Sequence, residues 1–234
     1  MLLSDAIKSR KTTKQASQQA RNQGMTSSPA FNRWFGSSKA VDRHGRPEVM
    51  YHATRHAFDA FDINKVEFGV HIGTRAAAQD ILGGEQGRIM ALYVKVENPL
   101  RMMDAGFWDA PMVWSHAVDK GLVSDPDGLT LEELIEAPES KKSMHLVRDE
   151  LVRAGIDGIV YLNRREGLTE SDERSVQHSY GFENEASDDE FLKVAPSARD
   201  SYIVFSPTQL KSATDNVGTF SPEDPRLNFN RRTR

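Results

Sequence analysis

The stretch "EVMYHAT", Glu48–Thr54, places a histidine inside an apolar run that decides how the whole chain is interpreted. A turn-forming His-Gly-Arg-Pro run comes directly before it, which favours a strand over Glu48–Ala53. Taken alone, His52 is more often a half-buried strand histidine than a ligand contact. The loop after the strand carries aromatic side chains at Phe58 and Phe61. A histidine on a strand followed by an aromatic loop raises the question of what the imidazole of His52 contacts.

The composition is that of a soluble globular protein, and it excludes several classes of function. The 234 residues include no cysteine, which excludes disulfides, thiolate nucleophiles and cysteine zinc sites. Lysine and arginine number 30 against 34 acidic residues, and the resulting net charge of -4 does not indicate nucleic-acid binding. No apolar run approaches the roughly 18 residues of a membrane span, and the first residues lack a secretory pattern. We therefore expect a cytoplasmic protein without a membrane partner.

Charge and turn-forming residues divide the chain into one domain with appended segments. Residues 1–27 are basic and have few apolar positions, which predicts a loosely attached helical leader. Residues 28–224 form the predicted domain. Within it, residues 167–200 are acidic, which predicts an insertion or a flexible loop. Residues 225–234 end the chain as a basic tail.

The order of the predicted elements favours an α+β fold. Ser28 and Pro29 are placed to begin a short helix. The strand patterns lie towards the two ends of the domain and the longer helical patterns in its middle, with helices over 111–122, 130–137 and 139–155. Strands grouped around a helical middle are typical of α+β proteins rather than of doubly wound sheets.

The common signatures of catalysis and metal binding are missing. The chain has no glycine-rich phosphate loop, no Gly-x-Ser-x-Gly elbow and no His-Glu-x-x-His motif. Its 7 histidines are scattered, and only His52 and His56 have a spacing near that of metal ligands. Because these two fall on a strand and a loop rather than on one helix, we predict no metal site.

Three motifs, taken in order, change the interpretation of His52. The stretches "YHAT" (51–54), "GVHIGT" (69–74) and "YIVFSPTQ" (202–209) resemble the three strand motifs of the ADP-ribosyltransferase superfamily, in its His-Tyr-Glu branch. With their flanking segments they look like the ADP-ribosyltransferase-like domains of phage, prophage and polyvalent proteins. The resemblance covers roughly 28–224.

The resemblance implies two packed antiparallel β-sheets with flanking helices and an NAD cleft between the sheets. In such a site the first-motif histidine, here His52, hydrogen-bonds a ribose hydroxyl, and the backbone of Ala53 meets the nicotinamide carboxamide. His71 takes the place of the family's tyrosine, whose ring flanks the nicotinamide. Thr74 is favoured as the cap of the next helix. The NAD-binding residues implied by the two motifs are His52, Ala53, Thr54, His71, Gly73 and Thr74.

An imidazole at position 71 introduces a dependence on pH. Histidine ordinarily titrates near neutral pH, and a protonated His71 would repel the cationic nicotinamide of NAD. We therefore expect any activity to weaken as the pH falls below about 6.

The third motif departs from the family at the catalytic carboxylate. The family's glutamate directly precedes this strand motif, and that position is Ser201, whose hydroxyl carries no charge. Losing such a group typically costs about 100- to 1000-fold in rate. Asp200 and Glu166 are the two candidate replacements. Alternation along a strand disfavours Asp200 unless a bulge intervenes, so Glu166 is slightly preferred, with a solvated loop carboxylate as the alternative reading.

Two functions of different class stay open. The first is a mono-ADP-ribosyltransferase that uses NAD as substrate, releases nicotinamide and modifies an unknown protein or nucleic-acid acceptor. Such an enzyme would be toxin-like and could be delivered into a host cell. The second is a catalytically silent relative that binds NAD, ADP-ribose or a partner protein. The histidine motifs favour the first function, and Ser201 favours the second.

Overall fold

The computed structural model describes residues 24–104, 106–124, 140–180, 186–216, 218 and 220–228. The helices are α1 (Pro29–Phe35), α2 (Arg75–Leu82), α3 (Ala110–Asp119), α4 (Lys141–Arg153), α5 (Glu170–Tyr180) and α6 (Asp188–Val194). The strands are β1 (Met50–Thr54), β2 (Val70–Ile72), β3 (Arg88–Val94), β4 (Pro99–Arg101), β5 (Gly158–Leu162), β6 (Asp200–Val204) and β7 (Leu210–Ser212). This order confirms the predicted α+β class.

The strands form two open sheets. The first sheet has the order β1-β3-β7 and is antiparallel throughout. The second has the order β2-β6-β5-β4, and its β4–β5 pair is parallel. The two predicted sheets are present, and the second is antiparallel except at this β4–β5 pair. Parallel neighbours need a long crossover, and here the connection between β4 and β5 contains α3 and α4.

The two sheets are joined by one backbone bridge between β1 and the end of β2. The N–H of Tyr51 donates to the carbonyl of Gly73 at 2.8 Å, and the N–H of Gly73 donates back to Tyr51 at 2.9 Å. Buried apolar side chains of both sheets pack together beside this bridge, among them Leu92, Val94, Val70, Ile72 and Val204. The resemblance therefore predicted the packing of two sheets correctly.

Helices cover the outer surfaces of the sheets. On the second sheet, α3 and α4 bury Val113, Trp114, Val147 and Leu151 against the strands. Beside the first sheet, α1 begins where the sequence predicts, because the side chain of Ser28 accepts the N–H of Phe31. The aromatic side chains of α1 pack on Tyr93 and Phe220.

The appended segments are only partly described. The predicted leader lies outside the described residues over 1–23, as does the helix expected over 130–137. The segment 167–200, predicted to be an acidic insertion or a flexible loop, contains α5 and α6. Helix α6 begins with a capping box at Ser187 and buries Phe191, which explains why an acidic stretch is helical.

Gln209 lies just beyond β6 and connects three parts of the fold. Its Oε1 accepts the N–H groups of Phe205 and Ser206 at 3.0 and 2.7 Å. Its Nε2 donates to the carbonyl oxygens of Lys95 and Asp157 at 2.9 and 2.8 Å. One buried amide thus ties the ends of β3 and β6 to the segment before β5.

Replacing this amide is expected to destabilise the fold. In Gln209→Ala the four backbone groups lose their partner, and the free energy of unfolding should fall by about 1–3 kcal/mol or more. Urea unfolding measures the change. Gln177→Ala, at an exposed position of α5, is the matched control and should stay within about 0.5 kcal/mol of wild type. Equal stabilities of the two variants would contradict the role of Gln209.

Candidate active site

A cavity of about 290 Å³ lies beside the Tyr51–Gly73 bridge, where β1 and β2 diverge. Its size is near the lower end of ligand pockets, about 300–1,000 Å³, so it suits part of a dinucleotide rather than the whole. The two sheets, α2, the loop after β4 and the turn after β5 contribute to its walls. The polar and titratable residues among its lining are Tyr51, His52, His71, Asp104, Tyr161, Asn163, Arg165, Glu166 and Ser201.

The imidazole of His52 is held in one tautomer. Its Nδ1 lies 2.8 Å from the carbonyl oxygen of His71. Because a carbonyl oxygen only accepts, Nδ1 carries the proton and Nε2 of the neutral ring is left as an acceptor. Phe61 contacts the imidazole edge-on with ring centroids 4.9 Å apart, and Phe58 packs on Phe61. The aromatic loop therefore fixes the histidine's orientation.

Both histidines are kept neutral by burial. Burial lowers the pKa of His52, although the hydrogen bond to the His71 carbonyl opposes the effect. Burial, together with a smaller effect of the neighbouring His52, lowers the pKa of His71 to about 4. Burial of His71 therefore moves the expected weakening of activity from about pH 6 towards about pH 4, because desolvation penalises the charged form of the ring.

The second motif brings a glycine to the cavity wall. A Cβ at Gly73 would lie 2.8 Å from the Oγ of Ser201, so the close approach of β2 and β6 requires the absence of a side chain. Gly73 also supplies the backbone groups of the bridge to Tyr51. This glycine therefore serves both the packing of the sheets and the shape of the cavity.

The structure brings some of the sequence-predicted residues together and leaves others outside. His52, Ala53, His71, Gly73, Glu166 and Ser201 line the cavity. Thr54 and Thr74 do not line it. The hydroxyl of Thr74 accepts the N–H of Ala77 at 3.0 Å and caps α2, as the sequence favours, and the hydroxyl of Thr54 accepts the N–H of His56.

The floor of the cavity is polar. The Oγ of Ser201, which is 2% exposed, accepts a hydrogen bond from Nδ2 of Asn163 at 3.2 Å. Burial raises the pKa of Tyr161 well above its usual range, and the carboxylates of Asp104 and Glu166 raise it further, while a hydrogen bond to Ser201 opposes them. Two carboxylates therefore act electrostatically on the inner end of the cavity.

The two candidate carboxylates occupy different places. Glu166 is half-buried at the cavity wall. Asp200 lines a separate groove, where a guanidinium N–H of Arg101 donates to its Oδ2 at 2.7 Å. The pairing of β5 with β6 runs without a bulge past Ser201 and Asp200, so their side chains point to opposite faces. The structure does not bring Asp200 to the cavity.

The lining also includes residues that no sequence motif indicates, among them Asp104, Tyr161 and Trp108. The first and the last lie on the loop after β4, which reaches the cavity only because β4 pairs with β5. Within the described residues, no cluster of three potential metal ligands occurs and no helix has the length and apolarity of a membrane span.

One family of known proteins matches the chain. The family described as "ADP-Ribosyltransferase in polyvalent proteins" matches residues 42–220, which include all of the cavity lining. No curated protein and no solved structure gives a match.

Burial of neutral His71 predicts a loss of stability in acid. Histidine in the unfolded chain has the ordinary value of 6.5, whereas the folded value is about 4, so the unfolded state binds the proton first. This contribution to stability is complete above about pH 6.5 and is lost as the pH falls to about 4. Urea unfolding at pH 7.0 and 4.5 should show a larger loss for wild type than for His71→Gln. Equal losses would contradict the assignment.

Proposed function

The chain belongs to the family of ADP-ribosyltransferases in polyvalent proteins, and from this premise we propose that it transfers ADP-ribose from NAD to a macromolecular acceptor. One observation carries the proposal. The ring of His52 with its acceptor nitrogen, the neutral ring of His71 and the carboxylate of Glu166 line one cavity. These are the groups that a reaction through a ribosyl cation requires.

The proposed binding mode follows from the state of the two histidines. Nε2 of His52 accepts a hydrogen bond from a ribose hydroxyl, because Nδ1 is occupied by the His71 carbonyl. The backbone of Ala53 contacts the carboxamide of nicotinamide. The flat ring of His71 lies against the nicotinamide, and its neutrality avoids repulsion of that cationic ring.

The proposed reaction breaks one bond and forms another. The bond between ribose C1′ and the nicotinamide nitrogen breaks, its electron pair stays on that nitrogen, and neutral nicotinamide leaves. The carboxylate of Glu166 stabilises the positive charge that develops on the ribosyl group. A nucleophilic atom of the acceptor then bonds to C1′ and releases its proton to water.

A second candidate function is a catalytically silent module that binds NAD or ADP-ribose. The observation that favours it is the floor of the cavity, where β6 presents Ser201 rather than a carboxylate and directs Asp200 towards Arg101. In that case the cavity would bind the dinucleotide without bond cleavage.

Two substitutions separate these functions. With NAD labelled in its ADP-ribose part and a cell lysate as the source of acceptors, wild type should release nicotinamide and label a macromolecule. Glu166→Gln should lower the rate about 100- to 1000-fold because the neutral amide no longer stabilises the cation. His52→Ala should weaken NAD binding measured by calorimetry as well as the rate.

Matched carboxylate variants control this experiment. Glu173→Gln changes an exposed residue of α5 and should retain the wild-type rate. Asp200→Asn tests the alternative carboxylate and should cost far less than Glu166→Gln. NAD binding by wild type without nicotinamide release or labelling would favour the silent module instead.

The neutral state of His71 also predicts the pH dependence of the reaction. A His71→Tyr variant has no group at position 71 that titrates in the acid range. The ratio of wild-type to variant rates therefore isolates the effect of protonating His71. The ratio should stay constant from pH 8 to about 5 and fall only towards about pH 4. A ratio that falls from pH 6 would show that the ring is protonated there and contradict its buried, neutral state.

A further inference from the structure

Side-chain oxygens accept the backbone N–H groups of the turn that carries Glu166. The N–H of Arg164 donates to Oδ2 of Asp104 at 2.8 Å, and the N–H of Gly167 donates to Oδ2 of Asp80 at 2.7 Å. Between them, the N–H groups of Arg165 and Glu166 both donate to Oδ1 of Asn163, at 3.1 and 2.9 Å. The backbone N–H groups of four successive residues therefore donate hydrogen bonds to the side chains of three residues.

These three side chains come from different parts of the fold. Asp80 lies on α2, Asp104 follows β4, and Asn163 is the first residue after β5. A turn that is closed only by its own backbone moves as a loop, whereas this turn is attached to two other elements as well. Its position relative to the cavity is therefore determined by α2 and by the β4 edge of the second sheet.

Close packing against α2 restricts the turn further. Gly167 has a φ of +80°, and a Cβ there would lie 2.8 Å from Oγ1 of Thr74 and 2.9 Å from the backbone nitrogen of Ala77. The turn thus lies directly on the first turn of α2, the helix that follows the second motif. Little room is left for a different placement of Glu166.

Asn163 is the residue that connects this turn to the cavity floor. It is 4% exposed, and while its Oδ1 holds the two amides of the turn, its Nδ2 donates to Oγ of Ser201 at 3.2 Å. The side-chain amide of Asn163 therefore contacts both the uncharged Ser201 on β6 and the backbone of Glu166.

We propose that Asn163, with Asp80 and Asp104, positions the Glu166 carboxylate at the cavity, so that a turn after β5 supplies the negative charge that Ser201 does not. This inference rests on the proposed function. Asn163 acts through Glu166 and does not itself contact the reacting atoms. A displacement of about 1 Å in such a group can cost about 100-fold in rate, which makes the attachment of the turn important for catalysis.

Asn163→Ala tests this role. The kcat for nicotinamide release should fall about 100-fold with KM little changed, because binding by His52 and His71 is left in place. Asn163→Asp keeps an oxygen for both amide donors and should recover part of the loss. Asn98→Ala is the matched control, since its amide donates to the carbonyl of Gly155 at 2.9 Å on a loop that does not line the cavity.

A double-mutant cycle distinguishes positioning from a general structural effect. If Asn163 acts through Glu166, adding Asn163→Ala to Glu166→Gln should lower kcat no further. Losses that multiply in the double variant would overturn the proposal, as would a wild-type rate in Asn163→Ala. Asp80→Ala changes an exposed residue of α2 and tests the same attachment if Asn163→Ala does not fold.

The failure of this inference can be told from failure of the proposed function. A wild-type chain that releases no nicotinamide overturns the proposed function and, with it, the positioning of a catalytic carboxylate by Asn163. An active wild type with an unaffected Asn163→Ala overturns only the positioning. Amide hydrogen exchange gives a readout that needs no activity: the N–H groups of 164–167 should exchange faster in Asn163→Ala than in Asn98→Ala, and equal exchange would overturn the attachment itself.

Discussion

The site depends on the backbone pairing of Tyr51 with Gly73. These reciprocal hydrogen bonds, 2.8 and 2.9 Å long, join the backbones of the two sheets, whose buried apolar side chains pack beside them. The next residue along β1 is His52, and its Nδ1 binds the carbonyl of His71, two residues before Gly73. One short stretch of backbone thus fixes the junction of the sheets and the direction in which the imidazole acceptor points.

The electrostatics of the cavity follow from this junction. Where the sheets part, the two imidazoles are buried enough that their neutral forms are favoured, since desolvation penalises a charged ring. The carboxylates of Asp104 and Glu166 line the same cavity and, in addition to burial, raise the pKa of Tyr161. The neutral rings do not repel a ligand that is cationic or becomes so during reaction, and the two carboxylates attract it, while the guanidinium of Arg165 in the same lining opposes that attraction.

Two of the motifs that carry the family resemblance contain the residues on the histidine side of the cavity. Residues His52, Ala53, His71 and Gly73 belong to two short motifs, and strand alternation already disfavoured Asp200 relative to Glu166. The carboxylate side was only partly predictable. Asp80 and Asp104 meet the turn after β5 through the parallel pairing of β4 with β5 and the packing on α2, and no local periodicity encodes such contacts.

Tertiary packing also explains the lowered pKa of His71 and the helices within 167–200. The ordinary behaviour of a histidine is a property of the residue type, but its pKa in the protein depends on burial, which is set by the whole fold. The acidic segment lacks a strong apolar pattern, yet α6 needs only Phe191 to pack on the body and a capping box to begin. Both outcomes are tertiary effects.

The state of the His52 ring in solution gives the most direct test of the account. Nitrogen-15 NMR of the histidine side chains, recorded at neutral pH with and without NAD, reports which ring nitrogen carries the proton and which one contacts a ligand. We expect a neutral His52 with the proton on Nδ1 and an Nε2 signal that shifts when NAD is added. The signals of the exposed His44 should show no such shift. A proton on Nε2, or an Nε2 signal that NAD leaves unchanged, would contradict the account.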